Sequence, residues 1–538
     1  MAQLSQRMQR PTEALLPKIN SSLAQRNDPA QSVNLATAEN WLIRKEVLQI
    51  YRKALQTSLT CADLSYVDGL SGEPGLLAAL ATFVNKYFKP AAEIKPRHIV
   101  VTPGASNCLD SLLFSLCEPG DSVLVLAPYW NGFDVHLAIR PNVRIVPVYT
   151  TPIAALETFA KVLPNSLIPA LSQALATVED KTKVKALIVS NPHNPFATCY
   201  TKEVLREAIQ WCAKQDLHYI SDEIYALSDF AQMQQSRQSP GLMSCPEDAI
   251  DQTLFPESCA PFISALAVDL DPLQTPPIST IWGTSKDLGS SGLRIGVHVA
   301  RPSICEEEQG ANHVVEAKNA LLTTSLGLLS ALQLSTVSMA MTRALLLSEQ
   351  LDKLVTLNKT RLRHNYTIIS TRLRFWNIPF LPATSAPYLV AKLGSGLKAR
   401  LESQRVGDSS GTMKRHDSPL STSSDEQTST ISDDETVVQF LKREALVLVA
   451  PCTSFHMGDL NDSHTAVDDW VRITFAIPVI LLNESLDRIE RTLGLPSFNF
   501  DRLGLPQSGS GTGTLKRPKC EGEDITNRKR CATCSNIL

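Results

Sequence analysis

The chain predicts an α/β protein with a mostly parallel sheet and helices on both faces. Three observations carry this. From His98 onward, short β-branched or apolar runs alternate with helical stretches, and parallel neighbours need such crossovers between them. The chemically distinctive residues fall just after the runs that read as strands, where ligands gather in such sheets. The 538 residues, 43% of them hydrophobic, are enough for two or three domains.

Residues 1–30 read as a flexible arm. A helical pattern runs from about Trp41 to Ser58, then a turn-rich loop from Tyr66 to Gly72, then a second helix from Glu73 to Phe88. His98 to Thr102, Ser122 to Ala127, Arg144 to Tyr149, Ala186 to Ser190, His218 to Ser221 and Ile278 to Trp282 read as strands. Ala105 to Cys117 and Lys202 to Gln215 read as helices, and one long helical region spans about Val314 to Leu373. Pro379 to Leu393 is strand-like. Residues 395–435 are rich in Ser, Thr, Asp and charge, which predicts a disordered insertion. Order returns with Val437 to Ala450, Val471 to Phe475 and a helix near Ser485 to Leu493. Residues 501–538 read as a disordered tail.

A net charge of -3 gives no reason to expect nucleic acid or an anionic membrane as partner. No run is long and apolar enough to span a bilayer, and Met1 to Lys18 has no apolar h-region. The twelve cysteines follow no disulfide spacing, which fits a cytoplasmic setting. Cys531 and Cys534 form a CxxC with Cys520 upstream, but with no fourth ligand nearby no metal site is expected.

The chemistry centres on Thr284 to Gly296. Lys286 follows an apolar strand and sits among small residues, where desolvation lowers an amine's pKa. A neutral amine can bond covalently to an aldehyde. Arg294, eight residues on, can fork onto a phosphate. The pair suggests pyridoxal 5'-phosphate; a plain basic loop is the alternative. Gly104-Ala105-Ser106 joins a strand to a helix, where amides favour an anion, or where Ser106 merely caps. Trp130 follows a strand and can stack on a flat ring or belong to the core. Asn194, in an Asn-Pro-His-Asn-Pro loop, can donate to a phenolate oxygen, or the loop is a plain turn. His193 reads as a loop histidine. Asp222 ends a strand among apolar residues and needs a cation or a donor; a protonated pyridine nitrogen would serve, and a helix cap is the bland reading. Tyr225 could donate to the same phenolate. Arg472, inside an apolar strand, needs an anion: a substrate carboxylate or a structural partner.

In this order the residues resemble fold-type I pyridoxal-phosphate enzymes. They are most similar to the class I/II aminotransferase branch that contains 1-aminocyclopropane-1-carboxylate synthases and fungal aminotransferase-like relatives. Ala38-Glu39-Asn40, Pro128 to Asp134 and Ser454-Phe455-His456 look like local signatures of that branch. The resemblance implies a large domain over 91–320. It implies a small domain built from both chain ends, 31–90, 321–394 and 436–500, and a homodimer with sites at the interface. It also implies roles. Lys286 would carry the cofactor and move the Cα proton; Asp222 would hold the pyridine nitrogen, and Asn194 and Tyr225 the phenolate. Trp130 would stack, and Ala105, Ser106, Ser285 and Arg294 would hold the phosphate. Tyr66 would reach the neighbouring subunit's phosphate, Arg472 would take the substrate carboxylate, and Glu39 would lie near the substrate.

The sequence departs from the family pattern at Gly283, at Phe196-Ala197 and at Cys452, which implies a reshaped pocket. The expected activity is transfer of an amino group between an α-amino acid and a 2-oxo acid, with a setting in fungal secondary metabolism. The alternative is a lyase of the same branch, acting on cysteine conjugates or forming a cyclopropane. A catalytically dead binding protein is disfavoured by the intact Lys286, Asp222, Arg294 and Arg472.

Overall fold

The computed structural model describes residues 4–5, 7–9, 11–13, 32–150, 166–231, 255, 259–271, 275–302, 311–331, 333–409, 435–457 and 467–498, the side chains of 311–316 and 403–409 excepted. Most of the expected arm, residues 410–434 of the expected insertion and the tail 501–538 lie outside these.

A seven-stranded sheet forms the centre. Its strands are β1 (Ile99–Thr102), β2 (Ser122–Ala127), β3 (Arg144–Tyr149), β4 (Val184–Ser190), β5 (His218–Asp222), β6 (Ile278–Gly283) and β7 (Gly296–Ala300). They lie in the order β1-β7-β6-β5-β4-β2-β3, and only β7 runs antiparallel to its neighbours. Strands β1, β2, β6 and β7 are buried along their whole length, as strands covered on both faces should be.

Helices cover the faces with the expected periodicity. Lys202–Lys214 buries Val204, Leu205, Ala208, Ile209 and Cys212, an i, i+4, i+8 stripe against the sheet. Thr201 caps it by accepting from the Val204 amide. Ala105–Leu116 buries Cys108, Leu109, Leu112 and Leu113 on the other side.

A smaller four-stranded sheet, Phe380–Leu381, Tyr388–Ala391, Ala450–Pro451 and Val471–Thr474, packs beside it. The early chain joins this layer. Val33–Asn34 pairs in parallel with Val447–Leu448, and the Thr474 amide donates to the Leu35 carbonyl. The 25-residue helix Leu351–Phe375 runs between the layers. Its Asn365 amide donates to the carbonyls of Phe475 and Ile477.

One expectation is refined, one is corrected and one strand went unforeseen. The helical region over Val314 to Leu373 is three helices, Ala311–Ser330, Thr336–Leu346 and Leu351–Phe375; Ser335 caps the second by accepting from Ser338. The stretch 395–435 is not unstructured from its start, because the helix Gly394–Ser409 runs into it. Leu397 is buried there and Leu401 packs beside it, an i, i+4 pair that anchors a helix despite polar surroundings. Strand β7 was not anticipated, since its residues follow directly on the lysine loop. No helix among the described residues is long and apolar enough to cross a membrane.

Candidate active site

Strand register gathers the distinctive residues at one edge of the large sheet. Ser190 lies opposite Asp222, Asp222 opposite Ile281, and Gly296 opposite both Gly283 and Thr102. Adjacent strands are about 4.8 Å apart, so the carboxyl ends of β1, β4, β5 and β6 form one row with the start of β7. The row closes tightly because Gly296 has no side chain. A Cβ there would stand 2.2 Å from the Gly104 carbonyl carbon.

Lys286 lies on the one-turn helix Thr284–Asp287 that follows β6. Its Nζ donates to the Ala38 carbonyl at 2.6 Å. Burial lowers the amine to about 8; Arg472 and Arg294 push the same way, while Glu39 and Asp222 oppose them. This half-buried amine sits within electrostatic reach of four charged residues.

Asp222 ends β5. Burial raises its carboxyl to about 6, against the Ile224 amide, the Lys286 charge and the Ser190 hydroxyl. A half-buried carboxylate at a strand end, ionised at neutral pH, calls for a cation.

Arg472 lies on Val471–Thr474 and is 5% exposed. One terminal nitrogen donates to Asn194 Oδ1 at 2.8 Å, the other to the Ala36 carbonyl at 2.7 Å. Its guanidinium is sandwiched between the rings of Tyr388 (4.6 Å) and Phe455 (4.7 Å). Its Nε finds no hydrogen-bond partner among the described residues. Tyr225 is buried edge-on against Tyr388, with ring centroids 5.4 Å apart. Burial, foremost, holds its hydroxyl in the protonated, donating form.

The Gly104 turn has the features of an anion cradle. Gly104 has φ +95°, and the Arg294 guanidinium lies where its Cβ would be, 2.3 Å from that position. Ala105 and Ser106 open the helix behind it, so free amides and a guanidinium converge on one point. Two buried oxygens beside these elements, Asn107 Oδ1 and Thr284 Oγ1, have no partner among the described residues. Ser285 is partly accessible in the same turn. A flat heterocycle with an acidic nitrogen at one end and a phosphate at the other matches this donor set: a carboxylate at Asp222, an amine at Lys286, an arginine at the helix terminus.

Other expected residues are placed less directly. Glu39 accepts from Ser291 Oγ at 2.6 Å and Trp41 Nε1 at 3.2 Å and pairs with Arg44 at 3.1 Å. Burial raises its pKa, but these partners win and the carboxyl ends below its ordinary value. Trp130 follows β2, with its ring against Phe133 (5.6 Å) and His136 (5.7 Å). Tyr66 is 84% exposed and does not join the site of its own chain. His193 is buried and stacked on Phe196 at 4.8 Å, and burial lowers it to about 3, so it stays neutral, as a core histidine does.

Sequence reasoning missed Tyr388, Phe455, Ala36 and Ala38. Phe455 and Ala38 stood inside quoted signatures, but nothing in sequence marks a carbonyl as the partner of an amine 248 positions away.

Residues 31–489 match the family described as aminotransferase class I and II. The chain is 33% identical over 496 residues to Probable aminotransferase aclI of Aspergillus oryzae, covering 92% of this chain and 98% of that one. It is 28% identical over 370 residues to 1-aminocyclopropane-1-carboxylate synthase-like protein 1 of Mus musculus, covering 66% and 62%. Among solved structures, a double mutant of Thermus thermophilus aspartate aminotransferase matches with a TM-score of 0.60 at 21% identity, covering 91% of this chain and 100% of that one. At that identity the likeness is one of fold.

Proposed function

Since the chain belongs to the aminotransferase class I and II family, we propose that it binds pyridoxal 5'-phosphate at the sheet edge and moves an amino group between an α-amino acid and a 2-oxo acid there. The observation that carries this is the convergence of Arg472, Glu39, Arg294 and Asp222 on the lowered amine of Lys286. When bound, the cofactor supplies an electron sink for the pair left at Cα once its proton departs.

The chain's own residues do the rest. Arg294, Ser106, Ser285 and the Ala105 amide hold the phosphate. Asp222 keeps a proton on the pyridine nitrogen. Asn194 and Tyr225 donate to the ring oxygen, and Trp130 covers a ring face. Arg472 takes the substrate carboxylate with its fork. Lys286 Nζ would hold the cofactor through its aldehyde carbon, with loss of water, and once displaced by the substrate amine would take the Cα proton and deliver it to that former aldehyde carbon, two atoms along. An amine at about 8 is partly neutral at working pH, as a base should be. Tyr66, exposed on its own subunit, fits a role across a homodimer interface. The fungal relative, together with Phe196-Ala197 and Cys452, supports a setting in specialised metabolism.

A lyase reaction on the same scaffold is favoured by one observation: Glu39 lies within electrostatic reach of Lys286. Its carboxylate is already engaged by Ser291, Arg44 and Trp41, which leaves transamination the better reading. Borohydride reduction of the cofactor-loaded protein, followed by peptide mapping, tests the site. A pyridoxyl group on Lys286 is expected; a label elsewhere, or none, would sink it.

A further inference from the structure

We propose that Asp287 is a positioning residue that brackets the turn carrying Lys286 to the turn carrying Tyr225, and so sets their relative geometry. The proposal rests on the site reading above. Asp287 is 1% exposed. Its Oδ2 accepts from the Leu227 amide at 3.0 Å and from Trp282 Nε1 at 2.9 Å, and its Oδ1 accepts from Ser228 Oγ at 2.5 Å. Leu227 and Ser228 close the turn after Tyr225, with the Ser228 amide donating to the Tyr225 carbonyl. Trp282 lies on β6, just before the lysine turn. One carboxylate thus ties the outflow of β5 to the outflow of β6.

A buried carboxylate stabilises a fold poorly compared with a well-packed apolar side chain. What it adds is direction: three donors from two segments, each with one allowed geometry. The backbone of the same residue is also held, since Asn358 Nδ2 reaches the Asp287 carbonyl at 3.4 Å and Asn358 Oδ1 accepts from Asn40 at 2.8 Å. The charged and titratable groups facing the carboxyl are Tyr225 and, from the long helix, Lys359, which is itself paired with Asp229. Burial, foremost, raises the carboxyl to about 6, so it is ionised and accepting at neutral pH.

The readout is the pH midpoint at which the visible band of bound pyridoxal phosphate shifts. Tyr225 donates to the ring oxygen in its anionic form, so Tyr225→Phe raises the midpoint. Asp287→Ala, which frees the turn, should raise it too, by about half a pH unit or more. Asp287→Asn should rescue it. Its Oδ1 can serve Leu227 and Trp282, and its amide can donate to Ser228 Oγ, whose hydroxyl can turn to accept. In a Tyr225→Phe background Asp287→Ala should add little, because both act through one donor. Should Asp287→Ala fail to fold, Ser228→Ala and Trp282→Phe each remove one bond and should give smaller rises. If Tyr225→Phe shifts the midpoint but Asp287→Ala, or these single-bond variants, leave it at the wild-type value, the bracket is wrong and the site reading stands. A full shift in Asp287→Asn, or additivity with Tyr225→Phe, overturns it in the same way. If Tyr225→Phe itself shifts nothing, the role given to Tyr225 fails and the bracket with it.

Discussion

Arg472 donates to Asn194 Oδ1 at 2.8 Å, joining the small sheet to the loop after β4. A guanidinium can only donate, so the amide must turn its oxygen to Arg472 and its NH2 group the other way. The residue assigned to the substrate carboxylate therefore orients the residue assigned to the cofactor's ring oxygen. The aromatic sandwich of Tyr388 and Phe455 suits a planar guanidinium and not a flexible ammonium.

Arg472→Lys should therefore fold and bind cofactor, yet lose both fork geometry and stacking. Steady-state kinetics should show kcat/KM for the amino donor down about 100-fold or more, ~2.7 kcal/mol, mostly through KM. An unchanged KM would remove Arg472 from the carboxylate site.

Gly104→Ala tests the anion cradle. With φ +95° and Arg294 2.3 Å from the Cβ position, an added methyl must displace the guanidinium. Arg294 is a flexible side chain, so the fold should survive, at a strain cost of about 1–3 kcal/mol. Cofactor affinity, read by titration of the apoprotein, should weaken about tenfold or more by loss of a charge-assisted contact.

A third test concerns stability against pH. His218 and His298 both bond Ser279 Oγ at 2.8 Å inside the sheet, and burial lowers each to about 3. The stability they contribute is full above their unfolded value of about 6.5 and drains as pH falls towards about 3. Burial raises Asp222 and Asp287 to about 6 and Glu223 to about 7, so these act oppositely: their contribution is full at low pH and is lost as pH rises through those values. Comparing wild type with His298→Gln isolates one histidine. The variant should melt lower at pH 7.5, and the gap should narrow towards pH 5, by up to about 1.4 kcal/mol per pH unit. A gap that widens on acidification would contradict the burial account.

Most of the sheet was legible because its strands are short runs rich in β-branched and apolar residues: Ser122–Ala127 and Arg144–Tyr149 fall at the expected residues. Side chains whose chemistry demands a partner were also legible, such as Lys286 among small residues and Arg472 in an apolar strand. What was hidden depended on approach rather than on residue type. The need for glycine at 296 comes from the Gly104 turn crossing it, and two of the three donors to Asp287 lie 59 and 60 positions away. The helix Gly394–Ser409 was hidden for a different reason, since bulk composition masked the Leu397–Leu401 pair.

The proposed homodimer predicts complementation. Lys286→Ala disables its own site, while a disruptive Tyr66 variant (Tyr66→Ala) would weaken its partner's. Co-expressed, the two variants should recover up to about a quarter of wild-type activity, since half of the dimers would hold one intact site of two. Recovery no better than the sum of the two variants alone would place Tyr66 outside any shared site.

The most direct test of the central claim is the absorbance of the cofactor-loaded protein on addition of amino acids alone. Transamination predicts that the pyridoxal band bleaches once, in stoichiometric amount, to the pyridoxamine form, and that a later 2-oxo acid restores it. A band that persists while ammonia and a keto acid, or a cyclic amino acid, build up over many turnovers would contradict it and establish elimination.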